Sequence, residues 1–222
     1  MKKTKMKIVL AVLAFAASIA WICIILNADV GKVGPKGKEI GLSLINSSFH
    51  DIWHYDDVGY NKLWYGITQA IGGFSLAVAA GMGLFGLIQL IKRKSLFKVD
   101  KCIIVLGILY AVTFGVYLMF EFVIINYRPL IMPGETEPAA SFPSSHTMLT
   151  IVIMGSMIVL LKNYIKKTSL RISLQFTCLV LMLTMVLGRF ICGVHWFSDV
   201  IGGILIGLFL VDLYWIFGRE DK

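Results

Sequence analysis

A histidine and an aspartate toward the end of the chain have the types and spacing of a catalytic pair. His195 and Asp199 are four residues apart, so on a helix their side chains can meet. A carboxylate that binds one imidazole nitrogen fixes the tautomer and makes the other nitrogen a better base or nucleophile. Such a pair is suited to proton transfer or to attack on an electrophilic centre.

Two more polar clusters have the residue types of an anion site. Arg128 is followed by proline and lies seven residues after Glu121, so on a continuous helix the two side chains would face the same way about 10 Å apart. Residues 142–146 read Phe-Pro-Ser-Ser-His, in which proline suits a first helical turn and serine suits a cap. The free N–H groups of a helix start, extended by serine hydroxyls, would fit a phosphate.

The elements that must position these clusters are membrane-spanning helices. Apolar residues make up 58% of the 222 residues and charged residues 15%, against roughly 25% charged in a soluble domain. Period-2 alternation is absent, so helices are expected and a β-barrel is not. The sequence predicts an all-α, six-transmembrane-helix bundle that forms a single domain over residues 1–222. Its spans are 8–26, 63–91, 102–125, 147–161 with a start near Ser144, 172–187 and 200–217.

The distribution of lysine and arginine predicts the orientation of the bundle. With the N-terminus inside, fifteen of the 21 basic residues lie on the cytoplasmic side, as the positive-inside rule requires. Both termini are then cytoplasmic, and the loops with the polar clusters lie on the extracytoplasmic face of the cell membrane. The net charge of +8 is therefore mainly a topology signal. Nucleic acid is not an expected partner, because the basic residues lack interleaved aromatics.

The first outer loop, residues 27–62, begins with turn-forming glycines and a proline. An amphipathic stretch follows, and its apolar residues recur at helical spacing at Leu42, Ile45, Phe49, Ile52 and Trp53. We expect this stretch to form a short interfacial helix with its apolar face among lipid headgroups.

Features of secreted or metal-binding proteins are weak in this sequence. The first apolar run exceeds the ~7–15 residues of a signal-peptide core. The four cysteines lie in or beside different spans without a C-x-x-C pair, so neither disulfides nor a zinc site is expected. His50 and His54 are four residues apart beside three aspartates and could in principle bind a metal, but a polar face that touches water and headgroups explains them without one.

Each polar cluster alone has an ordinary structural explanation, as a solvated helix end, a helix cap or a packed interfacial histidine. Their convergence is more informative, because ionisable residues are costly near hydrocarbon. Two arginines, two histidines and an aspartate all map to one face of the membrane. This combination predicts a functional site, composed of Arg128, His146, Arg189, His195 and Asp199.

In order and spacing the three clusters resemble the type 2 phosphatidic acid phosphatase (PAP2) superfamily, which shares its site with the vanadium haloperoxidases. The family pattern is Lys-x6-Arg-Pro, then Pro-Ser-Gly-His, then Ser-Arg-x5-His-x3-Asp. The motif resemblance covers residues 121–199, and the layout of spans extends it over the whole chain. It implies a membrane-bound lipid phosphatase that needs neither a metal nor another cofactor.

The resemblance also implies a role for each matching residue. His195 would attack phosphorus to form a phosphohistidine, with Asp199 orienting it. His146 would protonate the departing lipid oxygen and then activate water. The phosphate would be bound by two guanidinium groups and the start of the fourth span, namely by Arg128, Arg189, Ser144 and the N–H of Ser145.

Three positions depart from the family pattern. Ser145 replaces a glycine and Gly188 replaces a serine, both exchanges of small residues. Glu121 stands where the family has a phosphate-binding lysine, which reverses the sign of a charge. We expect Glu121 either to modulate the site by holding one of the two arginines or to face water at its helix end. Lys62 or another first-loop lysine would then supply the positive charge.

The expected function is hydrolysis of a membrane lipid phosphate or diphosphate, either a monoester or an acid anhydride. Candidate substrates are phosphatidic acid, phosphatidylglycerol phosphate and undecaprenyl diphosphate. One alternative is a phosphotransferase that passes the phosphoryl group from the same site to another lipid or a sugar. A second is a non-catalytic carrier of polyprenyl phosphates, although carriers often have inverted repeats and broken helices at mid-membrane, and neither is apparent in this sequence.

Overall fold

A computed structural model describes residues 2–53, 55 and 59–218. Within these ranges the regular secondary structure is helical, and loops connect the helices. No β-strand occurs in the described residues, only two isolated bridges. In chain order the helices are α1 (Lys2–Asn27), α2 (Ser43–Asp51), α3 (Lys62–Arg93), α4 (Lys101–Phe122), α5 (Ser145–Tyr164), α6 (Thr168–Cys192) and α7 (Phe197–Phe217).

All of these helices except α2 are long and apolar enough to cross a membrane. The predicted all-α bundle of six spans is therefore confirmed, and the protein is a multi-pass membrane protein. The helices reach their length because apolar residues run on for about 20 positions without a helix breaker.

Three predicted boundaries at one end of the bundle are wrong. The third span ends at Phe122 and not at Ile125, so Glu121 and Arg128 do not share a helix. The fifth span continues to Cys192, which places Arg189 in its last turn and not in a loop. The sixth span begins at Phe197, three residues before the predicted start at Val200. The end of α6 is set by the left-handed Gly193 and the start of α7 by the capping contact of Asp199 with Trp196, features that hydropathy does not report.

α5 is the central helix of the bundle and packs against α3, α4, α6 and α7, while α1 packs against α7. In its most apolar 18-residue window, 61% of α5 is buried, against 6% of α6. α5 and α7 approach closely at two glycines of α7. A Cβ at Gly203 would lie 2.9 Å from the Ser144 carbonyl oxygen, and one at Gly207 would lie 2.9 Å from a methyl group of Ile151. Small residues allow such approach between membrane helices.

The predicted helix of the first loop is present as α2, and it packs against the start of α7. Its buried side is polar at Ser43 and Asn46, while Leu44 and Ile45 are exposed. The predicted apolar face is therefore only partly correct, because Leu42 is buried and Phe49 packs on Phe190 and Phe197. α2 is held against the bundle by these contacts and by buried hydrogen bonds. The metal alternative at His50 and His54 includes His54, which lies outside the described residues.

Candidate active site

Four helix ends meet at one end of the bundle, which we call the site end: α4 and α6 finish there, and α5 and α7 begin there. Backbone hydrogen bonds join the three polar clusters at this end. Ser144 N donates to the Asp199 carbonyl (3.0 Å), Arg128 N to Ala139 O (3.0 Å) and Ser141 N to Asn126 O (2.9 Å). The predicted convergence of clusters distant in sequence is thus present in the fold.

His195 lies in the turn formed by residues 193–196, between α6 and α7. Gly193 ends α6 with a φ of 79°, a left-handed conformation that favours glycine. A side chain at this position would also collide with the ring of Tyr55. The turn carries His195 back into the bundle, where the imidazole is only 5% exposed.

The contacts of His195 determine which imidazole nitrogen carries the proton. Nδ1 lies 3.1 Å from the Ser141 carbonyl oxygen, which can only accept a hydrogen bond, so Nδ1 is the donor. Nε2 therefore carries the lone pair. It is buried and has no hydrogen-bond partner among the residues that the structure describes. This tautomer is the one a nucleophilic imidazole needs.

Asp199 lies in the first turn of α7. The spacing had suggested that His195 and Asp199 share a helix, but His195 lies before α7 begins. Its Oδ2 accepts from Trp196 N (2.9 Å) and caps the helix. The distance from Oδ2 to His195 Nδ1 is 3.9 Å, too long for a hydrogen bond. Ser141 bridges the gap, because its Oγ donates to Asp199 Oδ2 and lies 3.3 Å from Nδ1. The carboxylate thus acts on the imidazole through Ser141.

Both predicted arginines reach the site end from different elements. Arg189, in the last turn of α6, is 2% exposed and lies over the ring of Tyr65, with Cζ 5.8 Å from the ring centroid. Arg128 lies in the loop before α5 and lines a small cavity together with His195. Within the described part of the chain, the Nε atoms of Arg128 and Arg189 are buried without a hydrogen-bond partner. Buried donors of this kind call for an anionic ligand.

The start of α5 provides the remaining predicted residues. Ser144 is the N-cap residue, but its hydroxyl accepts from Thr147 Oγ1 (3.0 Å) and makes no cap hydrogen bond. Proline therefore precedes the cap and does not occupy the first turn. Ser145, at the first helical position, lines the cavity with Arg128 and His195. His146 follows and packs edge-on against Gly72 of α3, where a Cβ would lie 2.9 Å from its Cδ2.

The charges of the site favour an anion and a neutral nucleophile. Burial, and then the nearby charges of Arg189 and Arg128, hold the pKa of His195 well below its ordinary value. His195 is therefore neutral at pH 7. The same two arginines and His195 also act electrostatically on His146, so charged and titratable groups of all three clusters influence one another at the site end. Such an arrangement can stabilise the charge that develops on a phosphoryl group.

Two cavities adjoin this centre and share Tyr117 and Ser145 in their walls. The inner one is about 20 Å³ and is lined by Arg128, Ser141 and His195. The other is about 360 Å³, is mainly apolar and opens between α3, α4 and α5, with His146 at its polar end. A small polar pocket beside a larger apolar cavity matches the two halves of a lipid phosphate.

Residues 122–221 match the family model described as the PAP2 superfamily. This segment belongs to the PAP2 superfamily. The chain as a whole is similar in fold to a transmembrane PAP2-type phosphatidylglycerolphosphate phosphatase from Bacillus subtilis, with a TM-score of 0.65 and 19% identity over 96% of this chain and 97% of that one. No curated protein matches the chain significantly.

Two departures from the PAP2 pattern have clear structural settings. Gly188 lies where α6 passes α3, and a Cβ there would be 2.5 Å from Thr68 Cγ2 and 3.1 Å from Trp64 Cε3. The family serine would not fit without movement of α3. Ser145 is only partly buried, so the backbone approach that a glycine would allow remains open at the helix start.

Glu121 lies in the last turn of α4, is exposed, and lines the inner cavity of the PAP2 site. Among the described residues, no ion pair within 4.0 Å joins it to Arg128 or Arg189, and its carboxylate interacts with the Tyr117 side chain one turn earlier in α4. The predicted clamp on an arginine is therefore not formed. Of the first-loop lysines, Lys38 lies over the ring of Tyr127, 4.5 Å from its centroid.

Sequence reasoning did not find three polar residues that support the PAP2 site. Ser141 bridges the carboxylate and the imidazole, and Asn126 donates to Asp199 Oδ1 (3.1 Å). Asn46 of α2 contacts Ser198 at the start of α7. The only sequence signal was that Asn126 and Ser141 flank the Arg-Pro and Pro-Ser-Ser-His clusters. Asn46 had none.

Proposed function

We propose that this protein is a membrane lipid phosphate or diphosphate phosphatase that works through a phosphohistidine. The observation that carries the proposal is the unpartnered Nε2 of His195, buried beside the unpartnered Nε atoms of Arg128 and Arg189. A nucleophile with a lone pair and two permanent cations is what transfer of an anionic phosphoryl group requires.

In the first step, His195 Nε2 attacks phosphorus as the bond from phosphorus to the lipid oxygen breaks. The two guanidinium groups, with Ser144 and the N–H of Ser145, bind the phosphate oxygens. Ser141 and Asp199 hold the imidazole with its proton on Nδ1 and stabilise the positive charge that it gains. The bound phosphate brings the negative charge that favours a protonated His146, which gives its proton to the departing oxygen.

In the second step, neutral His146 takes a proton from water, and the water oxygen attacks phosphorus. The phosphorus–nitrogen bond breaks, inorganic phosphate leaves and His195 returns to its starting tautomer. The arginines supply the positive charge in both steps, so the chemistry as proposed uses no metal ion. Phosphate release should therefore continue in the presence of a chelator.

A lipid substrate is supported by the mainly apolar cavity of about 360 Å³ that ends at His146. A departing oxygen near His146 would place the attached chains in this cavity, between helices that face lipid. Phosphatidic acid, phosphatidylglycerol phosphate and undecaprenyl diphosphate are the candidate substrates. Beyond the phosphate that is removed, phosphatidic acid carries only its diacylglycerol. Phosphatidylglycerol phosphate carries a further glycerol phosphodiester and undecaprenyl diphosphate a second phosphate, and each of these charged groups must also be placed.

The lysine and arginine distribution supports an extracytoplasmic site, with both termini in the cytoplasm and the protein in the cell membrane. The site end lies where the loops are poor in basic residues. Phosphate release from lipid added to the outside of right-side-out vesicles, but not of inverted vesicles, is the expected result.

The proposal is tested by phosphate release from the three candidate lipids, with purified wild type, His195→Ala and His146→Ala. We expect His195→Ala to lose at least about 10³-fold in kcat, the scale seen when a nucleophile is removed. Brief reaction with ³²P-labelled substrate should label wild type in an acid-labile, base-stable form, as for a phosphorus–nitrogen bond. Phosphate release that survives His195→Ala would overturn the mechanism.

Two alternatives use the same binding chemistry and are distinguished by products. A phosphotransferase would pass label to an added lipid or sugar acceptor, whereas a phosphatase gives inorganic phosphate with or without the acceptor. A carrier of polyprenyl phosphates would bind the lipid without releasing phosphate or forming a labelled protein.

A further inference from the structure

Asn126 connects the first loop to the Asp199 carboxylate. Its side chain is fully buried at 0% exposure, just beyond the end of α4. Nδ2 donates to Asp199 Oδ1 (3.1 Å) and to Ser198 Oγ (3.1 Å), and Oδ1 accepts from Gly41 N (3.3 Å). Every hydrogen-bonding group of this amide is thus directed at either the first loop or the start of α7.

Asn46 of α2 approaches the same helix start from the other side and is also fully buried. Its Oδ1 accepts from Ser198 N (3.0 Å), and its Nδ2 donates to Ser198 Oγ (2.9 Å) and Gly41 O (2.7 Å). The N–H groups in the first turn of a helix lack partners within the helix. For Ser198 that partner comes from a residue 152 positions away in the chain.

Asn126 therefore completes the set of donors that fixes Asp199, while Asn46 fixes the neighbouring Ser198. Oδ1 accepts from Asn126, while Oδ2 accepts from Trp196 N and from Ser141 Oγ. With both oxygens engaged, the carboxylate cannot turn about its own axis without breaking a buried hydrogen bond, which is costly. The position of Oδ2, and through Ser141 that of His195 Nδ1, depends on Asn126.

We propose that Asn126 is a positioning residue for the Asp199–Ser141–His195 array, and that Asn46 extends the same network to α2. This rests on the proposed function, because it assigns the array to catalysis. The first loop thereby sets the geometry of the site from outside the PAP2 segment. Misplacement of a catalytic group by about 1 Å costs roughly 10² in rate, so loss of these amides should affect turnover more than substrate binding.

The test compares Asn126→Ala, Asn126→Asp and Asn46→Ala with Gln89→Ala as a matched control. Gln89 is also a buried amide with two side-chain hydrogen bonds, both to Asp100 at the opposite end of α3. We expect kcat to fall about 10²-fold in Asn126→Ala and about tenfold in Asn46→Ala, with KM changed less than threefold. Gln89→Ala should lower Tm by a similar amount while kcat stays within twofold of wild type.

Asn126→Asp keeps the shape of the side chain but sets a second carboxylate against Asp199, near His195 and the charge of Arg128. A protonated carboxyl can again donate to Asp199, so the ratio of variant to wild-type kcat should rise as pH is lowered. A purely structural role would leave this ratio constant. This variant also decides the question if Asn126→Ala does not fold.

Orthovanadate binding gives a readout that needs no turnover, because vanadate forms a five-coordinate adduct with an imidazole nitrogen. Its affinity should fall at least tenfold in Asn126→Ala and be unchanged in Gln89→Ala. Unchanged kcat and unchanged vanadate affinity in Asn126→Ala would overturn the positioning role. If wild type releases no phosphate from any lipid, the proposed function fails, and vanadate affinity still decides whether Asn126 positions His195.

Discussion

Each end of the bundle has a buried or half-buried carboxylate at the start of a helix. The hydrogen-bond networks around the two carboxylates differ in whether a buried polar atom is left without a partner. At the end opposite the site, Asp100 is the residue before α4, and its carboxylate accepts from Gln89 Nε2 (2.8 Å), Arg93 (2.6 Å) and the Tyr164 hydroxyl (2.7 Å). At the site end, Asp199 also has three donors, but its network continues to His195, whose Nε2 has no partner.

The difference separates a stabilising network from a reactive one. Among the described residues, no buried side-chain nitrogen or oxygen of the Asp100 network lacks a partner. At the site end such atoms occur on Arg128, Arg189 and His195, and also on His50, Trp53 and Tyr55 of the first loop. Leaving buried donors unpaired costs free energy. Buried polar atoms without partners are found at the site end and not in the Asp100 network. This difference indicates that a ligand completes the hydrogen bonds at the site end.

The largest expected effect comes from exchanging one arginine at each end for methionine. Arg189→Met should lower kcat/KM about 10³-fold, because it removes a donor that stabilises transition-state charge. It should leave Tm nearly unchanged, because methionine keeps most of the buried apolar volume and removes a buried charge that forms no ion pair among the described residues. Phosphate release and thermal unfolding in detergent measure the two effects.

Arg93→Met is the matched variant, and its expected pattern is the reverse. It removes the ion pair with Asp100 (2.6 Å) and a hydrogen bond to Lys98 O, so Tm should fall while kcat/KM stays within twofold. If both variants lost activity and stability together, the two ends would not have separate roles, and the comparison would fail.

A smaller effect is expected from removing one hydroxyl at each end. Ser141→Ala takes away the bridge between Asp199 Oδ2 and His195 Nδ1, and we expect kcat to fall by roughly 10- to 100-fold, in the range of an orienting contact. Tyr164→Phe removes the donor to Asp100 and should cost about 1 kcal/mol of unfolding free energy, with kcat unchanged.

The pH dependence of the Tyr164→Phe defect is a check on its cause. The hydrogen bond from Tyr164, followed by that from Arg93, lowers the pKa of Asp100. Stability from this group is therefore present above the ordinary pKa of an aspartate and is lost as pH falls through the lowered value. The difference in Tm between wild type and Tyr164→Phe should shrink as pH is lowered below the ordinary pKa of an aspartate. A difference independent of pH would mean that packing, not the hydrogen bond, was lost.

The six spans and the position of the site could be predicted because both follow from the cost of placing charge in lipid. Long apolar runs define the helices. The polar residues Arg128, Arg189 and His195 fall near helix ends, because a charged side chain costs least free energy close to the membrane surface. What a helix end does locally was harder to predict. α7 starts at Phe197 because the Asp199 carboxylate caps Trp196 N, and an i, i+4 spacing alone suggested a helix through His195.

The residues that support the site could not be predicted, because they are asparagines and serines whose hydrogen-bond partners are distant in sequence. Asn46 reaches Ser198 across 152 positions and Ser141 reaches Asp199 across 58. An asparagine or serine in a loop is most often a turn residue facing water. Only the packed fold reveals that the side chains of Asn46, Asn126 and Ser141 are buried.

The smallest expected effect concerns Glu121, which belongs to the site end but has no counterpart in the Asp100 network. Its exposed carboxylate lines the inner cavity without an ion pair to either arginine, so it opposes anion binding without holding a catalytic group. Glu121→Gln should lower KM about threefold with kcat unchanged, and high salt should reduce the difference because exposed charges are screened. Glu121→Lys should lower KM further. A tenfold fall in kcat in either variant would instead mean that the carboxylate positions an arginine during the reaction, and the site end would then depend on a charge pair that forms only with substrate bound.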